Sequence, residues 1–168
     1  SWNYKNVFRI SPHGSNTSVS TFDDYIILSS WLDNHVKIMR PDTGEILESL
    51  DGLNIPVSAT KYRDRIAVAL QGNKSITLFN VQNGEGEILA DGFMAPTHVI
   101  NYEDDLLVSD RSRGQIIRVN REGAQEVIVD GLDSPEGIAI KDNSIYIFEG
   151  NTGQIKKFTE DQITVIAE

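Results

Sequence analysis

The 168-residue chain carries a formal net charge of −10, with 39% hydrophobic residues, 24% charged residues and no cysteine. This composition is that of one globular domain and not of a disordered chain. The acidic balance argues against a nucleic acid partner, and the lack of cysteine excludes disulfides and thiolate metal sites.

Targeting signals are absent from the sequence as it stands. No apolar stretch approaches the roughly 20 residues that a bilayer span needs, so we expect a soluble protein with no membrane span. No signal-peptide pattern begins at Ser1. We therefore expect a processed or excised piece of a longer protein, and we favour an extracytoplasmic or secreted location.

Short β-rich runs separated by turn residues fill the chain, and none has the apolar spacing of a helix. Residues 5–10, which overlap NVFRISPHG at 6–14, predict a strand left over from a preceding unit. The first unit, 18–50, contains strands a to d as SVSTF, YIILSS, HVKIMR and ILESL. The second, 57–90, contains VSATK, RIAVAL, SITLFN and EILA. The third, 97–129, contains THVIN, DLLVSD, QIIRVN and EVIVD, and the fourth, 137–168, contains GIAIK, SIYIFE, QIKKF and ITVIA.

These units recur with a fixed period. Pro56, Pro96 and Pro135 are separated by 40 and 39 residues, and three Asp-Gly pairs keep the same intervals. Four-stranded antiparallel units of about 40 residues are typical of β-propeller blades. The sequence therefore predicts a single all-β domain, 1–168, with four blades of four antiparallel strands. A solenoid of β-hairpins is the alternative.

The number of blades in the complete ring is a separate question. An open arc leaves a sheet face and backbone groups uncovered, so we expect a segment of a propeller with six or more blades. Closure as a four-bladed ring and pairing of two chains into eight blades are the alternatives.

The fourth unit carries a family resemblance. SPEGIAIKDNSIYIFEGNTGQIKKF resembles the repeats of NHL and senescence-marker/gluconolactonase propellers, and LLVSDRSRGQIIRV is a second match. The likeness extends weakly over all four units, so it covers nearly the whole chain. It implies the propeller class, whose members include lactonases, lyases and binding modules.

The resemblance also implies a metal site. In lactonase-like members the residue between Pro and Gly helps to hold a divalent cation, usually calcium, and Glu136 stands at that position. We call the set of equivalent positions in successive units a column. In the other units the column of Glu136 contains Thr17, Val57 and Thr97, and a valine side chain cannot bind a metal ion. The alternative interpretation of Glu136 is a solvated rim residue.

Loops between strands b and c predict a ligand-binding face together with the loops that lead into strand a. They contain an aromatic residue and mixed charges that suit a polar ligand or peptide. The candidate residues are Trp31, Asp33, His35, Arg111 and Arg113. A buried staple between blades explains Trp31 equally well.

His98 lies at the start of a strand a, where it is a candidate base or metal ligand if it meets Glu136. A structural role is the alternative for His98. Asp110 and Glu149 end strand b at aligned positions. In the families that the chain resembles, the aspartate at this position braces the following turn, and we expect a structural role for both carboxylates.

Three functional hypotheses follow. The first is a propeller module that binds a small molecule, a glycan or a protein segment. The second is a calcium-dependent lactonase-like hydrolase with Glu136 as one ligand and His98 as the base. The third is a structural spacer. We prefer binding, because the ligand column is interrupted and no second carboxylate aligns with Glu136.

Overall fold

The protein is described here by a computed structural model of residues 18–167. These residues form sixteen β-strands in four antiparallel sheets of four, so the predicted all-β fold with four propeller blades is confirmed. The predicted strand at residues 5–10 and Thr17 lie outside the described residues. No helix that could cross a lipid bilayer is present between residues 18 and 167.

Each sheet is an up-and-down meander whose strands pair in chain order. The first contains β1 (Ser18–Phe22), β2 (Tyr25–Ser30), β3 (His35–Met39) and β4 (Ile46–Leu50). The second contains β5 (Pro56–Tyr62), β6 (Arg65–Leu70), β7 (Ser75–Phe79) and β8 (Gly86–Ala90). The third contains β9 (Pro96–Tyr102), β10 (Asp105–Asp110), β11 (Gln115–Val119) and β12 (Gln125–Val129). The fourth contains β13 (Pro135–Lys141), β14 (Ser144–Glu149), β15 (Ile155–Thr159) and β16 (Gln162–Ala167).

Stacking of sheet on sheet explains the consecutive apolar residues of the second strands. Leu106, Leu107 and Val108 of β10 point alternately to the two faces of the third sheet, and all three are fully buried. Leu106 and Val108 pack in one apolar cluster with Ala67 and Ile76 of the second sheet. Leu107 packs in another cluster with residues of the fourth sheet. The cores of this protein therefore lie between successive sheets.

We call the face that each sheet turns to the following sheet its forward face. Ile27, Ala67 and Leu107 occupy one column of this face in the first three sheets, and each is at most 1% exposed. The forward face of the fourth sheet is not covered by another described sheet. Phe148 and Ile155 on that face are 41% and 37% exposed.

The first strands of the four sheets contact one another and line the centre of the arc. Polar side chains link them across the sheet boundaries. Ser58 Oγ accepts a hydrogen bond from the Val99 N–H at 3.2 Å. Asn101 Nδ2 donates to the Lys61 carbonyl at 2.6 Å. These bonds fix the register of neighbouring inner strands, and so they fix the positions of the side chains at the centre.

Candidate ligand-binding cavity

A cavity of about 630 Å³ opens at the centre of the arc. All four sheets contribute to its walls, together with the loops between second and third strands. The apolar part comes from Trp31, Ile55, Val57 and Phe148, and the polar part from Gln71, Thr97, His98, Arg111 and Glu136. An apolar pocket with a few converging polar groups is the usual form of a small-molecule site.

β-bulges aim three of these side chains at the cavity. In β13, Pro135 pairs with Glu149 and Gly137 pairs with Phe148, which leaves Glu136 as the extra, unpaired residue. The same shift leaves Val57 unpaired in β5 and Thr97 unpaired in β9. Bulges redirect a side chain at the rim of a sheet. The Pro-Glu-Gly step therefore places Glu136 on the cavity wall.

Glu136 lies beside an arginine. Arg111 Nε is 3.7 Å from Glu136 Oε1, and both side chains are nearly half exposed. The same Nε donates a hydrogen bond to Ser134 Oγ at 2.9 Å, which fixes the arginine against the loop that leads into β13. Gly150 makes room for the carboxylate, because a Cβ on Gly150 would stand 2.5 Å from Glu136 Oε1.

The described residues do not fit the calcium site that the family resemblance implies. Calcium takes six to eight oxygen ligands, and residues 18–167 contain no group of three His, Asp or Glu residues arranged to hold a metal ion. Val57 and Thr97 occupy the positions equivalent to Glu136. The guanidinium of Arg111 also places a positive charge where the cation would have to bind.

His98 joins two inner strands. Its Nδ1 accepts a hydrogen bond from the Ile138 N–H at 2.9 Å, in the column where Ser58 accepts from Val99. Burial lowers the pKa of His98 below its ordinary value of 6.5, so the ring is neutral at physiological pH. With Nδ1 accepting, Nε2 carries the proton and is a hydrogen-bond donor. A base at Nε2 would first require the other tautomer.

The five predicted ligand-binding residues do not all meet. Trp31 and Arg111 line the central cavity, and Trp31 is 47% exposed. Arg111 and Arg113 line a neighbouring polar groove, where Arg113 Nη2 donates to the Gly92 carbonyl at 2.7 Å. Asp33 and His35 line neither space. His35 begins β3 and is only 4% exposed.

Several lining residues were not singled out in the sequence. Phe148 occupies a column in which the first three sheets have Ser29, Ala69 and Ser109. A large aromatic residue where the other sheets have small residues could therefore have identified Phe148 as a candidate lining residue from the sequence. The pairing of Ser134 with Arg111 left no comparable pattern, because it joins two loops of different sheets.

Asp110 and Glu149 hold the loops that lead into their own sheets. Asp110 is fully buried, and its carboxylate accepts hydrogen bonds from the Met94 and Ala95 N–H groups at 2.8 and 2.9 Å. Glu149 Oε1 accepts from the Asp133 N–H at 2.7 Å and from Lys156 Nζ at 2.8 Å. These contacts brace the backbone beneath the cavity.

Comparisons with known proteins support the fold. No family model matches the sequence, and the comparison with curated proteins gave no match. Virginiamycin B lyase from Staphylococcus aureus is 16% identical, with a TM-score of 0.72 over 92% of this chain and 56% of the lyase. A gluconolactonase from Xanthomonas campestris is 15% identical, with a TM-score of 0.71 over 85% of this chain and 58% of that protein. The computationally designed protein Ika4 is 14% identical, with a TM-score of 0.61 over 86% of this chain and 90% of the design.

At these identities the similarity establishes the propeller fold alone. The chain spans between 56% and 58% of the length of the two natural proteins.

Proposed function

We propose that this chain is a β-propeller binding module whose ligand occupies the central cavity. The observation that carries the proposal is the mixed lining of that space. Trp31 and Phe148 supply aromatic surface, and Arg111 supplies a fixed charge at the same wall. Such a combination binds a small molecule, a glycan or a protein segment by apolar contact and orients it by polar groups.

We place the chain among propellers of the NHL-repeat and senescence-marker type, as part of a ring with further blades. The repeat motifs of the third and fourth units support this placement. So does the uncovered forward face of the fourth sheet, since the equivalent face of each preceding sheet is covered by the next. The partial coverage of the two natural structures is consistent with it.

A calcium-dependent lactonase is the alternative function. The propeller fold is shared with a gluconolactonase, and Glu136 stands at the position that the family uses for a metal ligand. Arg111 beside Glu136 disfavours a cation there by direct repulsion. We therefore prefer reversible binding over metal-dependent hydrolysis.

A cavity-filling variant tests the proposed function. Gly137 lines the cavity, and an added Cβ there meets Phe148 Cβ at 3.7 Å and nothing closer. Gly137→Leu should therefore fold and occupy ligand space. Ala139→Leu is the matched control, because Ala139 lies two residues further along β13, is exposed and does not line the cavity.

The measurement is a thermal-shift screen of sugars, short peptides and aromatic acids, amides and amines. A ligand at 100 times its dissociation constant should stabilise the protein by about 2.7 kcal/mol. Gly137→Leu should abolish the shift and Ala139→Leu should keep it. A ligand that stabilises both variants equally would show that the cavity is not the binding site. Stabilisation by calcium chloride that Glu136→Gln removes would favour the lactonase.

A further inference from the structure

The charged side of the central cavity carries N–H groups of Arg111 that no described residue accepts. Arg111 has five N–H donors, and its Nε is taken by Ser134 Oγ. Its two terminal nitrogens have no hydrogen-bond partner among residues 18–167. Glu136 makes no hydrogen bond to the Arg111 side chain: the two meet as an ion pair with Glu136 Oε1 3.7 Å from Nε, beyond the 2.7–2.9 Å of a charge-assisted hydrogen bond.

His98 adds a second donor to the same cavity. Its Nδ1 is engaged by the Ile138 N–H, so the proton is on Nε2. In the described part of the chain, no acceptor binds that Nε2–H. A ligand in this space therefore meets a guanidinium fork and an imidazole N–H that both need acceptors.

Resting on the proposed function, we propose that the ligand is an organic carboxylate with an apolar or aromatic body. The carboxylate accepts hydrogen bonds from the terminal nitrogens of Arg111, because a planar guanidinium matches the two oxygens of a carboxylate. The apolar body packs against Trp31, Ile55 and Phe148. His98 Nε2–H donates to an oxygen of the ligand.

The acidic net charge of the protein does not oppose this assignment at contact distance. At physiological salt the screening length is about 8 Å. A carboxylate within the cavity therefore interacts mainly with Arg111 and Glu136, and little with the carboxylates of the outer strands. The carboxylate of Glu136 is the nearby group that repels an anionic ligand, and it therefore reduces the affinity of the cavity for anions.

Three probes of nearly the same shape separate the ligand classes: naphthylacetate, naphthylacetamide and naphthylethylammonium. We expect isothermal titration calorimetry to show binding of the carboxylate at least about tenfold tighter than the amide, because hydrogen bonds to charged groups are stronger than neutral ones. The ammonium probe should bind more weakly still.

Variants then assign the contacts. Arg111→Gln should weaken naphthylacetate binding about tenfold or more, whereas Glu136→Gln should tighten it by about twofold to tenfold. Arg118→Gln is the charge-matched control: Arg118 pairs with Asp105 at 2.6 Å and does not line the cavity. The opposite sign expected for Glu136→Gln separates ligand recognition from loss of folding, because a merely destabilised site would not bind more tightly.

The outcomes distinguish this inference from the function on which it rests. Equal binding of the three probes, removed by Gly137→Leu, would overturn the carboxylate assignment and leave the binding function intact. Carboxylate binding that Arg111→Gln weakens no more than Arg118→Gln does would also overturn it. Binding that Gly137→Leu leaves unchanged would contradict the proposed function itself. Failure of naphthylacetate to bind the wild-type protein would refute the inference.

Discussion

Replacement of Asp110 by alanine should destabilise the protein through two backbone groups. The carboxylate is fully buried at the end of β10, and its oxygens accept the Met94 and Ala95 N–H groups. No other partner for these two N–H groups is seen within residues 18–167. Truncation therefore leaves two donors without an acceptor and leaves a void behind them.

The magnitude follows from the cost of an unpaired buried group. Each unsatisfied donor costs about 1–3 kcal/mol when it is shielded from water. Met94 is 53% exposed, so water reaches part of this loop and relieves some of the loss. We therefore expect the free energy of unfolding to fall by about 2–4 kcal/mol, the lower half of the range summed over the two donors.

Urea unfolding followed by far-UV circular dichroism measures this change. Glu48→Ala is the control, because Glu48 is an exposed carboxylate on β4 with no hydrogen bond to another described residue. It should change the free energy of unfolding by less than about 0.5 kcal/mol. If Asp110→Ala and Glu48→Ala lower it equally, the buried carboxylate does not brace the loop.

The same substitution should also weaken ligand binding. Asp110 holds the backbone at Ala95, whose carbonyl accepts the Arg111 N–H at 2.9 Å, so its loss should displace Arg111.

Three further changes test the packing and titration of the fold. Burial lowers the pKa of His98 from 6.5, so the free energy of unfolding decreases as the pH falls below that value. His98→Ser imitates Ser58 in the equivalent position, and its free energy of unfolding in urea should decrease less from pH 7 to pH 5. Burial raises the pKa of Glu149, but hydrogen bonds from Lys156, the Asp133 N–H and Thr152 outweigh it and lower the pKa below 4.5. Its stabilisation is therefore present above pH 4.5 and lost as the pH falls further, and the acid-unfolding curve of Glu149→Gln should show less of this dependence. Leu107→Ala should lower the free energy of unfolding by about 2–5 kcal/mol, because the fourth sheet covers Leu107. Tyr146→Ala, in the same column but on the uncovered forward face of the fourth sheet, should lower it less; equal losses would mean that a partner covers Tyr146.

The periodic features of the fold could be predicted from the sequence because each sheet repeats the same physical problem. Strand b must be apolar on both faces between two sheets, and residues 106–108 show this directly. The two-residue turns were also predictable in position. Their backbone was not, since Arg63 and Glu103 adopt positive φ values of 56° and 54° without the glycine or asparagine that usually marks them.

The candidate site could be predicted in part. Trp31, Arg111, His98 and Glu136 were identified from their loops and columns, and all four line the cavity. His35 was assigned both to a loop and to the start of a strand, and the structure has it in the strand, 4% exposed. Side-chain pairing between loops, such as Arg111 with Ser134, depends on the relative placement of two sheets, and no periodic pattern in one sequence records that distance.

The β-bulges explain why the equivalent bulged positions of three sheets carry side chains of different size and charge. A bulged residue makes no ladder pair, so its identity has little effect on sheet pairing, whereas its side chain faces the cavity. Val57, Thr97 and Glu136 differ in size, polarity and charge at this position, although the prolines before them are the same. Exchange within this column, such as Glu136→Thr at a side chain that is 41% exposed, should therefore alter the ligand preference more than the free energy of unfolding. The fold can in this way retain its repeated sheets while the chemistry of its centre changes residue by residue.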